Sequence, residues 1–209
     1  MPEPEIPEGM SADAARTWPS RELIESWLGD FDFELRPGEE SSVAVDDPEA
    51  VAAACRFRDV IGRFATGVTV VTAMSGDEPV GMTCQSFSSV SLSPPLVLFC
   101  PARTSKAWPR IQRAGRFCVN LLAQHQSAVS DRMATRGIDK FAGVSWRPSR
   151  ETGSPVVGGS LGYVDCTVHA VYQAGDHYVV IGRVEDLGAT EVARPLLFYR
   201  GSYGRHEAD

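Results

Sequence analysis

Two hydrophobic patterns divide the chain. Over residues 51–64, Val51, Cys55, Val60 and Ile61 recur at helical spacing and Gly62 stands near the end, which predicts a helix. From residue 67 β-branched residues take over. GVTVVTA (67–73) reads as a strand and residues 80–92 as a second, with a body rich in Ser and Thr. Ser75-Gly76-Asp77-Glu78 is the turn between them, and Pro94-Pro95 breaks the chain before a third strand at 96–100. Residues 105–114 predict a short helix, 116–121 a strand and 124–136 a helix. Two long strands, 161–173 and 177–187, flank the hairpin turn Gly175-Asp176, and residues 196–199 form a last short strand. Strands joined by turns, with few helices, predict a mainly β fold: an antiparallel barrel rather than a doubly wound sheet. No internal repeat is present, and no apolar run approaches the 18 residues of a membrane span.

Charge sharpens the division. Of 209 residues, the first 50 carry 14 acidic groups against Arg16, Arg21 and Arg36, a net of −11. Residues 51–209 carry 13 acidic and 17 basic groups, a net of +4, so the whole chain stands at −7. The first segment also holds six prolines, a composition that does not bury enough apolar surface to offset chain entropy. Within it, Ser20 is a good N-cap, and Leu23, Ile24, Trp27 and Leu28 share one helical face, so a short amphipathic helix over 20–28 is expected. It is either a docking element or a solvated tail. The expected organisation is an acidic extension (1–50), one folded domain (51–205) and a tail (206–209). The opening MPEPEIPEGM has neither a basic leader nor an apolar run, so no secretory signal is expected. An acidic chain, with a pI near 5.1, is a poor nucleic-acid binder.

Cys55, Cys84, Cys100, Cys118 and Cys166 are odd in number and contain no C-x-x-C pair. Neither a disulfide framework nor a structural zinc site is expected, and a reduced, cytoplasmic chain is the default. None of His125, His169, His177 and His206 pairs with a His or Cys at metal-ligand spacing, so no metal is assigned. Dinucleotide, P-loop and nucleophile-elbow motifs are absent.

Three polar stretches remain. GMTCQSFSSVS (81–91) places Thr83, Gln85 and Phe87 on one strand face, either toward a flat hydrogen-bonding ligand or on the polar outside of a barrel. CPARTSKAW (100–108) sets Arg103 and Lys106 around Thr104 and Ser105 ahead of a predicted helix, as a phosphate site or an exposed basic loop. Gly175-Asp176-His177 is a tight turn with a histidine at its exit, able to clamp a ligand or inert.

The order of FRDVIGRFATGVTVVTA (57–73), GMTCQSFSSVSLSPPLVLFC (81–100), RTSKAW (103–108), FCVNLLA (117–123), DKFAG (139–143), GDHYVVIGRV (175–184) and PLLFYRGSY (195–203) resembles the flavin reductase-like domain of the FMN-binding split-barrel superfamily. The resemblance spans residues 57–203 and implies an antiparallel Greek-key split β-barrel with a few flanking helices. It implies an NAD(P)H:flavin oxidoreductase using FMN or FAD with NADH or NADPH, supplying a partner flavin-dependent monooxygenase. By the family pattern, Thr83, Cys84, Gln85 and Ser86 hold the isoalloxazine and ribityl chain, with Ser88 and Ser89 following on the cofactor-facing strand. Arg103, Thr104, Ser105 and Lys106 correspond to the phosphate loop, and Thr66, Gly67 and Val68 to a strand approaching the pocket. His177 corresponds to the residue that seats the nicotinamide, and Tyr203 to an aromatic near the cofactor. Gln85 and Ser93 stand where many relatives have Asn and Asp. A homodimer with flavin at the subunit interface is also implied. The competing readings are a split-barrel flavoprotein oxidase, such as one acting on a pyridoxal-type phosphate, and a non-enzymatic flavin-binding electron carrier.

Overall fold

The computed structural model describes residues 47–190 and 194–204; the expected helix at 20–28 and the tail at 206–209 lie outside these. Helix α1 (Pro48–Ile61) begins three residues before its predicted start. Asp47 caps it by accepting from the backbone N–H groups of Glu49 and Ala50 (2.9 and 3.2 Å), and Pro48 suits the first turn, where no N–H is needed. After β1 (Thr66–Gly67), the hairpin β2 (Thr69–Ser75) and β3 (Glu78–Cys84) turns through Gly76 at φ 62°. The predicted strand 80–92 is two strands. β3 stops at Cys84 and β4 begins at Ser88, because the chain crosses there from one edge of the sheet to the other. β4 (Ser88–Leu92) and β5 (Pro95–Phe99) form a second hairpin.

Helix α2 (Trp108–Ala114) begins later than predicted, with Ser105 Oγ accepting from Trp108 N–H at 3.2 Å in the turn that leads into it. Then follow β6 (Arg116–Leu121), α3 (Ser127–Ala134) and an unpredicted hairpin of β7 (Trp146–Pro148) and β8 (Pro155–Val157). β9 (Gly162–Ala174) and β10 (His177–Ala189) form the predicted long hairpin, extending two residues beyond expectation in β10. β11 (Leu197–Tyr199) pairs with β1 on one side and with β12 (Ser202–Gly204) on the other, a separate three-stranded sheet.

The main sheet is wholly antiparallel, in the order β3-β2-β6-β9-β10-β5-β4. Laid flat, seven strands would set the outer two about 29 Å apart. Yet β3 and β4 are joined by three residues, whose four Cα steps reach about 15 Å. The sheet is therefore curled, its two edges drawn together at residues 85–87. β2 is buried on both faces. Val71 and Ala73 enter one core with Phe99, Trp108, Ile111 and Phe117, while Val70 enters another with Leu122, Met133, Phe141 and Leu196. Phe99 stands edge-on to Phe117 and Trp108, at 5.0 and 5.8 Å between centroids. Buried Asn120 ties the β7–β8 hairpin to the sheet, accepting from Val157 N–H (2.7 Å) and donating to Val70 and Pro155 carbonyls.

Candidate functional site: a cationic cleft beside the β9–β10 turn

Antiparallel register brings distant motifs together. β10 pairs with β5 so that Val180 faces Phe99. The same register carried outward sets His177 opposite Ala102, where an isolated bridge forms. The loop after β5 therefore lies against the Gly175–His177 turn. Arg103 N–H donates to the Asp176 carbonyl and Tyr178 N–H to that of Pro101, each at 2.9 Å; Arg103 also reaches the Gly175 carbonyl at 3.4 Å. His177 is partly exposed, with Nδ1 2.7 Å from Asp176 Oδ1. A carboxylate there fixes the ring orientation and leaves Nε2 for a ligand.

Next to this loop opens a cleft of about 740 Å³, lined by β3 residues 78–83, by residues 105–107 and by the segment after the middle of α3, from Met133 to Phe141. Thr83, Ser105 and Lys106 line it. So do Arg110, Arg136 and Lys140, three cations outside the motifs that carried the expected site. Lys140 Nζ donates to the Gly81 and Met133 carbonyls (3.0 and 2.6 Å), locking the 136–140 loop onto β3 and α3. Burial and the neighbouring Arg136 charge lower its pKa below the usual lysine range. The wall packs closely: a Cβ at Gly81 would meet Met133 Sδ at 2.9 Å and the Phe141 ring at 3.4 Å.

The other sequence-derived residues distribute around this cleft. Thr83 hydroxyl donates to the Ser130 carbonyl of α3. The Tyr203 hydroxyl reaches the same turn of that helix, 2.6 Å from Asp131 Oδ1 and 3.0 Å from Ser130 Oγ, and burial followed by the Asp131 bond raises its pKa. Ser86 spans the closure between the sheet edges, its Oγ accepting from Cys100 N–H at 2.8 Å and contacting the Cys84 thiol at 3.1 Å. Cys84 itself is buried in the core, and burial pushes its thiol up, away from a reactive thiolate. Gln85, Ser88 and Ser89 are exposed on the crossing and on β4, outside the cleft lining. Gly67 is exposed, Thr66 Oγ1 is buried without a hydrogen-bond partner among the described residues, and Val68 is a core residue of the β2–Leu196 cluster. Position 68, between β1 and β2, thus contributes packing against Val70, Leu122 and Leu196. The helix N-terminus expected beside Lys106 is displaced three residues onward and belongs to a helix of seven residues.

A largely apolar cleft carrying four cationic side chains, next to an imidazole at a tight turn, fits a flat ligand with an anionic phosphate. Comparisons with known proteins agree. The family model described as flavin reductase like domain matches residues 61–207. The reductase subunit HsaB of a flavin-dependent monooxygenase from Mycobacterium tuberculosis is 55% identical over 149 residues, covering 70% of this chain and 79% of the relative. The FMN reductase (NADH) SmoA of Agrobacterium fabrum is 42% identical, covering 71% and 84%. The solved NADH:FAD oxidoreductase SgcE6 of Streptomyces globisporus, in complex with NAD and FAD fragments, superposes with a TM-score of 0.72 at 36% identity, covering 78% of this chain and 96% of that one. On the family match and the identities together, the chain belongs to the flavin reductase-like domain family.

Proposed function

We infer that the chain is a flavin reductase that passes a hydride from NADH or NADPH to FMN or FAD and supplies reduced flavin to a partner monooxygenase. The observation that carries this reading is the juxtaposition of the His177 turn with the Arg103–Lys106 loop at the mouth of the cationic cleft. The hydride donor and acceptor rings are supplied by the cofactors when bound. The chain's task is to hold two flat ligands in register and exclude competing geometries.

Lys106, with Ser105 and Thr104, would hold the flavin phosphate. Thr83 and the backbone of residues 84–86 would border the ribityl chain and ring. His177, oriented by Asp176, would position the nicotinamide carboxamide from the opposite side of the loop. No general base is needed, because a hydride moves as a unit. This matches a site whose one imidazole sits at its edge.

A homodimer is part of the proposal. Helix α1 buries none of its residues, and Phe57, Val60, Ile61 and Phe64 stand exposed, as does Leu92 on β4 at 95%. A second copy covering these positions would take large apolar side chains out of water. A monomer mass in sedimentation at micromolar concentration would remove that part of the reading.

Steady-state oxidation of NADH and of NADPH, each with FMN, FAD or no added flavin, tests the function. The expected result is turnover that requires added flavin. Oxygen consumption without nicotinamide would favour an oxidase, and flavin binding with no turnover would favour an electron carrier.

A further inference from the structure

Four cations line the cleft, but they are not equally available to an anion. Arg110 is already paired: its guanidinium reaches Glu78 Oε2 at 3.0 Å and Ser75 Oγ at 3.3 Å. Lys140 is committed to two backbone carbonyls and is disfavoured as a cation by its burial. Lys106 is exposed and has no partner among the described residues. Arg136 is exposed, and one terminal nitrogen makes its only contacts, both long: 3.4 Å to the Thr104 carbonyl and 3.5 Å to Thr104 Oγ1. A guanidinium carries five N–H donors in a fixed fork, so most of this one is unused among the described residues.

Position agrees with availability. Arg136 sits just past the end of α3, lines the same cleft as Lys106, and reaches the loop residue two before Lys106. Residues 104 and 106 thus face a second cation supplied by a segment 30 residues further on. An anion between Lys106 and the Thr104 hydroxyl would meet the open edge of the Arg136 fork, and planar two-point binding of phosphate is what arginine does better than lysine.

We propose that Arg136 is a phosphate-binding residue for the flavin, holding the phosphate together with Lys106 and the Thr104 hydroxyl. The proposal rests on reading the 103–106 loop as the flavin-phosphate site. Its specific consequence is that Arg136 senses whether the flavin carries a phosphate, and contributes nothing to the ring. Riboflavin, which shares the ring and ribityl chain but lacks the phosphate, separates the two.

The test measures equilibrium binding of FMN and of riboflavin to the full chain and to Arg136→Ala and Arg136→Lys, at low and high salt. Arg136→Ala is expected to weaken FMN binding about tenfold and to flatten its salt dependence, with riboflavin affinity unchanged. Arg136→Lys should recover part of the loss, because it keeps the charge and loses the fork. Unchanged riboflavin affinity also shows that the variant is folded. An Arg136→Ala protein that keeps the parent's preference for FMN overturns the proposal, as does one that weakens FMN and riboflavin alike. A rise in the NADH Michaelis constant with FMN affinity intact overturns it too, by moving Arg136 to the nicotinamide nucleotide. A parent chain that binds riboflavin as tightly as FMN would overturn the phosphate reading of the whole loop, a failure distinct from that of Arg136 alone.

Discussion

Thr83 and Tyr203, 120 positions apart in sequence, converge on one turn of helix α3: the Thr83 hydroxyl bonds the Ser130 carbonyl, and the Tyr203 hydroxyl lies 3.0 Å from Ser130 Oγ and 2.6 Å from Asp131. The cleft wall is therefore held to β3 on one side and to β12 on the other. Thr83→Val and Tyr203→Phe should each lower stability by about 1 kcal/mol, the worth of a typical net hydrogen bond. The double variant should lose less than the sum, because a helix freed at one anchor gains less from the other. Chemical unfolding of the four proteins checks this, and strict additivity would show that the two bonds act independently.

His177 is placed by register rather than by a pocket of its own. His177→Ala should raise the Michaelis constant for NADH about fivefold to tenfold, the scale of one lost ligand hydrogen bond, and that for flavin much less. Equal effects on both constants would count against a nicotinamide-seating role.

Lys106→Ala should weaken FMN binding about tenfold at low salt and less at high salt, as expected for one exposed charge on a phosphate. A flavin affinity that does not move would remove Lys106 from the site.

Asp165 is a fully buried carboxylate on β9 that accepts from Thr152 N–H at 3.0 Å and from the Thr152 hydroxyl, anchoring the loop between β7 and β8. Burial raises its pKa above the usual carboxylate range, and the bonds from Thr152 and Ser149 pull it only partway back. Raised in the folded state, this group favours folding most when protonated, below its unfolded pKa. That contribution is lost as pH rises through the folded value. Asp165→Asn removes the titration, so the parent's stability relative to the variant should be greatest in acid and shrink toward neutral pH. Denaturant titrations of both proteins between about pH 4 and 7 read this directly; a difference independent of pH would refute it.

Turn chemistry and β-branched runs made the hairpins legible. Gly76 and Gly175 stand at positive φ where the sequence places turns, and β9 and β10 follow their apolar pattern closely. The break at 85–87 was not legible, because GMTCQSFSSVS continues the same polar alternation through the point where the chain changes sheet edge. The β7–β8 hairpin was missed because its three-residue strands carry Pro148 and Pro155 and gain their partners from Asn120, far along the chain. Arg136 stands at the end of the helix expected over 124–136, but that helix stops at Ala134 and leaves Arg136 and Lys140 in an irregular segment, which the docking of α3 brings into the same cleft as Lys106. The cations at 132, 136 and 140, four residues apart and ending in DKFAG, were the one signal in the sequence.

The most direct test of the central claim mixes the purified chain with FMN and NADH in the absence of oxygen and follows the absorbance of oxidised flavin. The account predicts bleaching at a rate proportional to protein concentration, with nicotinamide oxidised and flavin reduced in equal amounts. Flavin that binds yet stays oxidised with both NADH and NADPH would contradict it.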